Sequence, residues 1–205
     1  MVKRVIVMAI SVILALAVAA PIASGKTSSQ SQDLKALTEA WWTWAITEPS
    51  PLEGNYKGGP RCEGEFIEGV FFLAGTTGGD ATRTCTVPAD TALFFPVINY
   101  FCTDDEPNYP QCASNYVATA LANGEPYATL DGEDLKISRI ATGPFTLTVP
   151  KRNIFKAPAG GYTAVSDGLW VYLPQGLEPG EYTLQFGGDF GDVTSLNITY
   201  TLIVV

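Results

Sequence analysis

The chain has 205 residues, of which 21 are acidic, 12 basic and none histidine, for a net charge of −9. So acidic a chain lacks the basic face that nucleic acid or an anionic lipid surface requires. Without histidine, the usual general base near neutral pH and the commonest metal ligand are both missing.

Lys3 and Arg4, the apolar run from Val5 to Ala20, and then Pro21, Ala23, Ser24 and Gly25 have the layout of a secretory signal peptide. Residues 1–25 are read as that signal, cut after Gly25, with cuts after Ala20 or Ala23 as alternatives. Its loss takes Lys3 and Arg4 away and leaves the mature chain at −11. The competing reading is an uncleaved anchor, because the run approaches the roughly 20 residues that span a bilayer. That is the one route by which this reading brings the chain to a membrane. The expected location is therefore secreted, periplasmic or extracellular, where disulfides persist. Cys62, Cys85, Cys102 and Cys112 form an even set with three possible pairings, and local stapling favours Cys62 with Cys85 and Cys102 with Cys112. The mature chain of about 180 residues is enough for one domain with a proper core.

Residues 26–32 read as a Ser/Gln-rich linker and 33–205 as a single domain. Leu34, Leu37, Trp41, Trp44 and Ala45 recur at helical spacing, which predicts a helix over 33–47 with a capping box at Ser29 and Gln32. Glu48-Pro49-Ser50-Pro51 ends it. A Gly- and Pro-rich loop follows over 52–65. Strands are expected at 66–74, 83–87 and 92–99. The last is apolar on both faces, as in a strand buried between layers, so Pro96 must sit at a bulge or an edge. A second helix is expected over 113–122, closed by Asn123-Gly124 in a left-handed turn. Asp131-Gly132 signals a hairpin between strands 127–130 and 135–140. Further strands are expected at 145–149, 169–173, 181–186 and 194–204. In the last, Leu196, Ile198, Tyr200, Leu202 and Val204 alternate with mostly polar residues. The glycine pairs at 78/79, 160/161 and 187/188 read as turns. Eight or nine short strands with two helices predict a mainly β fold, a β-sandwich or jelly-roll-like domain with an N-terminal helix and one inserted helix.

Trp41-Trp42-x-Trp44, Val70-Phe71-Phe72-Leu73-Ala74-Gly75, Cys85-Thr86-Val87-Pro88 and Ala92-Leu93-Phe94-Phe95-Pro96-Val97-Ile98-Asn99, followed by Asp167-Gly168-Leu169-Trp170-Val171 and Pro179-Gly180-Glu181-Tyr182-Thr183-Leu184, resemble a family of uncharacterised secreted bacterial proteins. Thr199-Tyr200-x-Leu202 fits the same pattern. The resemblance implies secretion and a single domain, and it implies no activity. Relatives carry His where this chain has Tyr182 and Thr201, so a His-dependent role would not carry over.

Three candidate sites follow from residue chemistry. The cysteine-flanked loop 99–112 holds Asp104, Asp105, Glu106 and Asn108, oxygen ligands of the kind that calcium takes six to eight of. Asp131, Glu133 and Asp134, or Asp189 and Asp192, would complete such a site, although a solvated acidic loop is the simpler explanation. Trp42, Trp170 and Tyr172 are candidates for an exposed aromatic platform on which a sugar ring stacks. Trp42 points away from the apolar helix face, and Trp170 and Tyr172 lie opposite Leu169, Val171 and Leu173. The competing expectation is a second apolar layer over that face. Glu63, Glu65, Glu68 and Asp167 are candidates for a carboxylate pair in glycoside hydrolysis, which needs no histidine, with Asp167-Gly168 more simply a turn. Asn197-Ile198-Thr199 is a glycosylation sequon.

The expected function is binding, without catalysis, or a structural role outside the cell. The expected ligand is a glycan or a component of an extracellular surface, with calcium as a possible aid. The alternative is a histidine-free, carboxylate-dependent glycoside hydrolase.

Overall fold

The computed structural model describes residues 33–47, 49–53 and 69–205. The expected signal, the linker, the capping box and Cys62, Glu63, Glu65 and Glu68 lie outside the described residues. Helix α1 spans Leu34–Ala45, and its start is capped by Asp33, whose carboxylate accepts from Lys35 N–H at 3.0 Å and Ala36 N–H at 3.3 Å. Among the described residues, ten strands and a second helix follow: β1 Val70–Phe72, β2 Gly79–Val87, β3 Ala92–Thr103, α2 Cys112–Asn123, β4 Tyr127–Leu130, β5 Glu133–Asp134, β6 Ile137–Ala141, β7 Phe145–Val149, β8 Gly160–Leu173, β9 Gly180–Asp189 and β10 Ser195–Val204. The fold is mainly β, with two five-stranded sheets.

One sheet runs β1-β3-β8-β6, and β7 also pairs with β8. The 14 residues of β8 carry both neighbours on one edge, β7 along Gly160–Ala164 and β6 along Asp167–Val171. The other sheet runs β2-β10-β9-β4-β5. Leu93, Phe95, Ile98, Leu169 and Val171 of the first sheet meet Leu184, Phe186, Ile198, Tyr200 and Leu202 of the second in one core cluster. Each fully buried Leu or Phe there stabilises the fold by roughly 1.5–3 kcal/mol. The expected alternation of β10 is observed, with all five of its inward residues buried.

The other face of the first sheet is also apolar. Phe72, Phe94, Leu147, Ala164 and Trp170 form a second cluster with Leu37, Trp41, Trp42, Trp44 and Ala45 of α1. Trp41 Nε1 donates to Leu73 O at 2.9 Å, and Trp42 Nε1 donates to Ser166 Oγ at 2.7 Å. Trp41 and Trp42 therefore satisfy their polar atoms while filling the layer, whereas the buried Trp170 Nε1 has no hydrogen-bond partner among the described residues.

Several local expectations change. Asp131 and Gly132 make the expected tight turn, with φ of +50° and +86°, but the strand it closes is only the two-residue β5. Ile137–Ala141 crosses to the other sheet and pairs with β8. Gly124 is extended rather than left-handed, at φ −163° and ψ 172°. It is glycine because a Cβ there would lie 1.8 Å from Asp189 O. Gly160/Gly161 and Gly187/Gly188 lie within β8 and β9 rather than at turns. The chain crosses between sheets after β1, and Arg83, fully buried, holds that crossing. Its guanidinium donates to Ala74 O and Gly75 O, each at 2.7 Å, and to Tyr200 Oη at 3.0 Å.

Candidate functional site

Strand β3 has two unlike halves. Its first half pairs on both sides, with β1 through Ala92–Phe94 and with β8. Leu73 N–H donates to Phe94 O at 3.1 Å. The next backbone group on that edge belongs to Pro96, which has no N–H to give. The β3–β8 register shifts between Pro96 and Ile98, a bulge at the place where proline is tolerated. Beyond it β3 pairs only with β8 among the described strands.

The hydrogen bonds at the end of β3 show which way its backbone faces. Asp104 N–H donates to Thr163 O at 2.9 Å, toward β8. Thr103 faces the other way, since its N–H donates to Glu106 Oε1 at 3.0 Å and its carbonyl accepts from Glu106 N–H at 2.9 Å. Alternation along an antiparallel strand then turns the N–H and C=O of Asn99 and Phe101 outward, on the free edge.

A groove of about 310 Å³ runs along that edge. On the α1 side it is lined by Trp42, Phe101, Phe155 and Tyr162, and on the other side by Tyr100, Tyr116, Leu196 and Ile198. Phe101 packs on Trp42 with ring centroids 4.6 Å apart and on Phe155 at 5.4 Å. Tyr100 stacks on Tyr116 of α2 at 4.1 Å. Phe155 is 41% exposed and Tyr100 37%, so each side of the groove carries an open aromatic. Thr76, Thr77, Thr103 and Thr194 add hydroxyls, and Asp105 and Glu106 are the only charged side chains among the described lining residues. Burial raises the Tyr100 phenol above its ordinary value, and the negative charge of Glu106 raises it further. Tyr116 is raised by burial and then by Tyr100. Both rings therefore stay neutral hydroxyl donors across the physiological range.

The expected disulfide Cys102–Cys112 is present, with Cα atoms 6.3 Å apart, and it ties the end of β3 to the start of α2. Cys85 is also disulfide-bonded. Its expected partner, Cys62, lies outside the described residues. Between Cys102 and Cys112 the acidic side chains turn onto their own backbone instead of converging on one point. Thr103 Oγ1 is 2.6 Å from Asp105 Oδ1 and 3.1 Å from Glu106 Oε1, and Asp104 Oδ1 accepts from Thr163 N–H at 3.2 Å. Asn108 takes a positive φ of 63° in the loop. Asp131 likewise caps Thr183 N–H at 2.7 Å. Among the described residues no cluster of three or more His, Cys, Asp or Glu side chains could hold a metal ion. Asp104, Asp105, Glu106 and Asp131, all expected calcium ligands, thus serve here as loop-forming groups.

The expected exposed platform is corrected. Trp42 is 4% and Trp170 1% exposed, and Tyr172 is half-buried, its phenol raised by burial. The strand alternation is as expected, with Leu169 and Val171 toward the other sheet, but α1 covers the opposite face. Trp170 stacks on Phe94 at 4.7 Å and meets Trp41 edge-on at 5.3 Å. Of the three, Trp42 lines the groove. Asp167 and Gly168 lie in mid-strand rather than in a turn. Asp167 is 2% exposed, and the Arg139 guanidinium donates to both its oxygens at 2.7–3.2 Å. That bond raises the Arg139 pKa. Asp167 is thus committed to a structural pair, which leaves it poorly placed as an acid or base. A Cβ at Gly168 would come within 2.6 Å of Asn99 Cβ and 2.7 Å of Trp170 Nε1, so the glycine admits both side chains. Tyr182 pairs opposite the buried Leu202 while Thr201 pairs opposite Thr183. Tyr182 and Thr201 therefore point to opposite faces of the sheet.

Tyr100, Phe101, Tyr116 and Phe155 were not singled out from the sequence. The available signal was Pro96, which marks where pairing on one edge stops, and the aromatic pair that follows it within the same strand.

No family model and no curated protein matches the chain. A solved structure titled "Structure of PbICP-C in complex with falcipain-2" aligns with 75% of this chain and 100% of its own, at 8% identity and a TM-score of 0.25, too low a likeness to bear on fold or function. Among the described residues no helix is long and apolar enough to cross a membrane.

Proposed function

We propose that this is a secreted domain that works by binding, and that its site is the groove along the free edge of β3. The observation that carries the reading is the lining: open aromatic rings on both sides of a strand edge unpaired among the described strands, with hydroxyls between them and two carboxylates at one end. Such a surface offers stacking area at low side-chain entropy cost together with polar anchors. The signal-like N-terminus and the Cys102–Cys112 bridge support export.

Screening the exported protein on immobilised glycans and peptides, with Phe155→Ala and Tyr100→Ala beside the wild type, tests this. Either substitution should weaken the recovered ligand at least about ten-fold with little change in melting temperature. A ligand held equally well by both variants would place the site elsewhere.

A further inference from the structure

We infer that the occupant of the groove is an extended polypeptide that adds a strand to the free edge of β3 and carries a Lys or Arg toward Asp105 and Glu106. This rests on the groove being the binding site and names the class of ligand it takes.

The backbone makes the first part of the case. Asn99 and Phe101 each turn an N–H and a C=O outward. No described group bonds to them, while further along the edge Leu73 N–H bonds to Phe94 O before the Pro96 bulge and Glu106 closes off Thr103 at the other end. The free groups are two residues apart, about 7 Å along the strand, which is the repeat that a pairing strand presents. A glycan can stack on the rings, but it carries no such repeat of donors and acceptors. Strand addition draws affinity from main-chain bonds and specificity from pockets for alternate side chains. The groove has that form, because successive side chains of an added strand would fall first between Trp42, Phe101 and Phe155 and then against Tyr100 and Tyr116.

Charge makes the second part. The described lining contains no Lys or Arg, and its two carboxylates sit at the Thr103 end. Their bonds to Thr103 hold them in place. Attraction across that end favours a cationic side chain. The chain itself is at −9, so a second copy would bring like charge to the same edge, whereas a basic peptide meets it with opposite charge.

The test starts with a random linear nine-residue peptide display library selected on the exported full domain. Selected peptides should be extended and enriched in Lys or Arg at one end. In hydrogen exchange, adding a selected peptide should slow the Asn99 and Phe101 amides at least ten-fold. Asn99→Pro, which removes an outward N–H and no β8 bond, should weaken the peptide at least ten-fold. Should that variant fail to fold, Asp105→Asn with Glu106→Gln serves instead, and it should lower affinity several-fold and flatten its salt dependence. Recovery of no peptide tighter than about 100 μM overturns the inference. So does a glycan that protects neither amide yet is lost with Phe155→Ala, although that result keeps the groove as the site. Self-association abolished by Asn99→Pro would make the occupant a second copy and overturn the basic peptide. Peptides that bind equally to Phe155→Ala and protect neither amide would sink both readings.

Discussion

The two halves of β3 are built from similar apolar and aromatic residues, yet one is sealed and the other open. Leu93, Phe94 and Phe95 are wholly buried, held between β1 and β8 and covered on both faces. Asn99, Tyr100 and Phe101 keep the same partner on one side and none among the described strands on the other. Pro96 marks the boundary between them. A strand can thus be a core element for half its length and, among the described strands, an open edge for the rest, with the bulge at Pro96 as the divide.

The largest test of this contrast is Phe94→Ala. Removing a fully buried ring that packs on Trp170 and Phe72 should cost about 3–5 kcal/mol in denaturant unfolding. A loss under 1 kcal/mol would mean that the sealed half is not a core. Replacing Cys102 and Cys112 together by Ala opens a bridge across a separation of 10 residues. A cost of about 2–3 kcal/mol is expected from the larger conformational freedom of the unfolded chain, together with weaker ligand binding, because the open half loses its tie to α2. Unchanged binding would show that the bridge does not hold the groove in shape.

Arg139→Ala leaves the buried Asp167 carboxylate, which pairs opposite Tyr100, without its charged partner. About 2 kcal/mol of destabilisation is expected in the same unfolding assay, and Arg139→Lys should recover only part of it, since Lys cannot supply the paired donors. On the open half, Phe155→Ala removes a ring that is 41% exposed, so its cost in stability should stay below about 1 kcal/mol while binding falls. The smallest effect concerns pH. Tyr100 and Tyr116 have raised pKa values in the folded state, so the unfolded chain loses these protons first as pH climbs past about 10. Their contribution to stability is therefore intact below that pH and is lost as pH rises through the folded values. An ultraviolet phenolate titration should show Glu106→Gln bringing Tyr100 down; no change would remove Glu106 from its field.

Much of the fold was legible because strand and helix periods are local. The spacing Leu34, Leu37, Trp41, Trp44 marks the apolar face of α1, and the alternation of β10 marks its inward residues. The open edge was less legible, since the expected strand stops at Asn99 and the remainder of β3 falls in the expected acidic loop. Asp131-Gly132 signalled its turn correctly, but nothing nearby says that the strand after it is two residues long.

The amino-acid sequence by itself determined the mainly β character, the two helices and the two-faced alternation of Leu169–Leu173, and it favoured Cys102 with Cys112 among three possible pairings. Only the tertiary structure decided that Trp170 is covered, because the cover comes from α1, whose Trp42 reaches Ser166 across 124 residues of chain. It also decided that β3 has no second neighbour beyond Pro96 among the described strands, since an edge depends on where β1 turns away. Alternation is a property of consecutive residues, whereas cover and pairing depend on segments far apart in the chain.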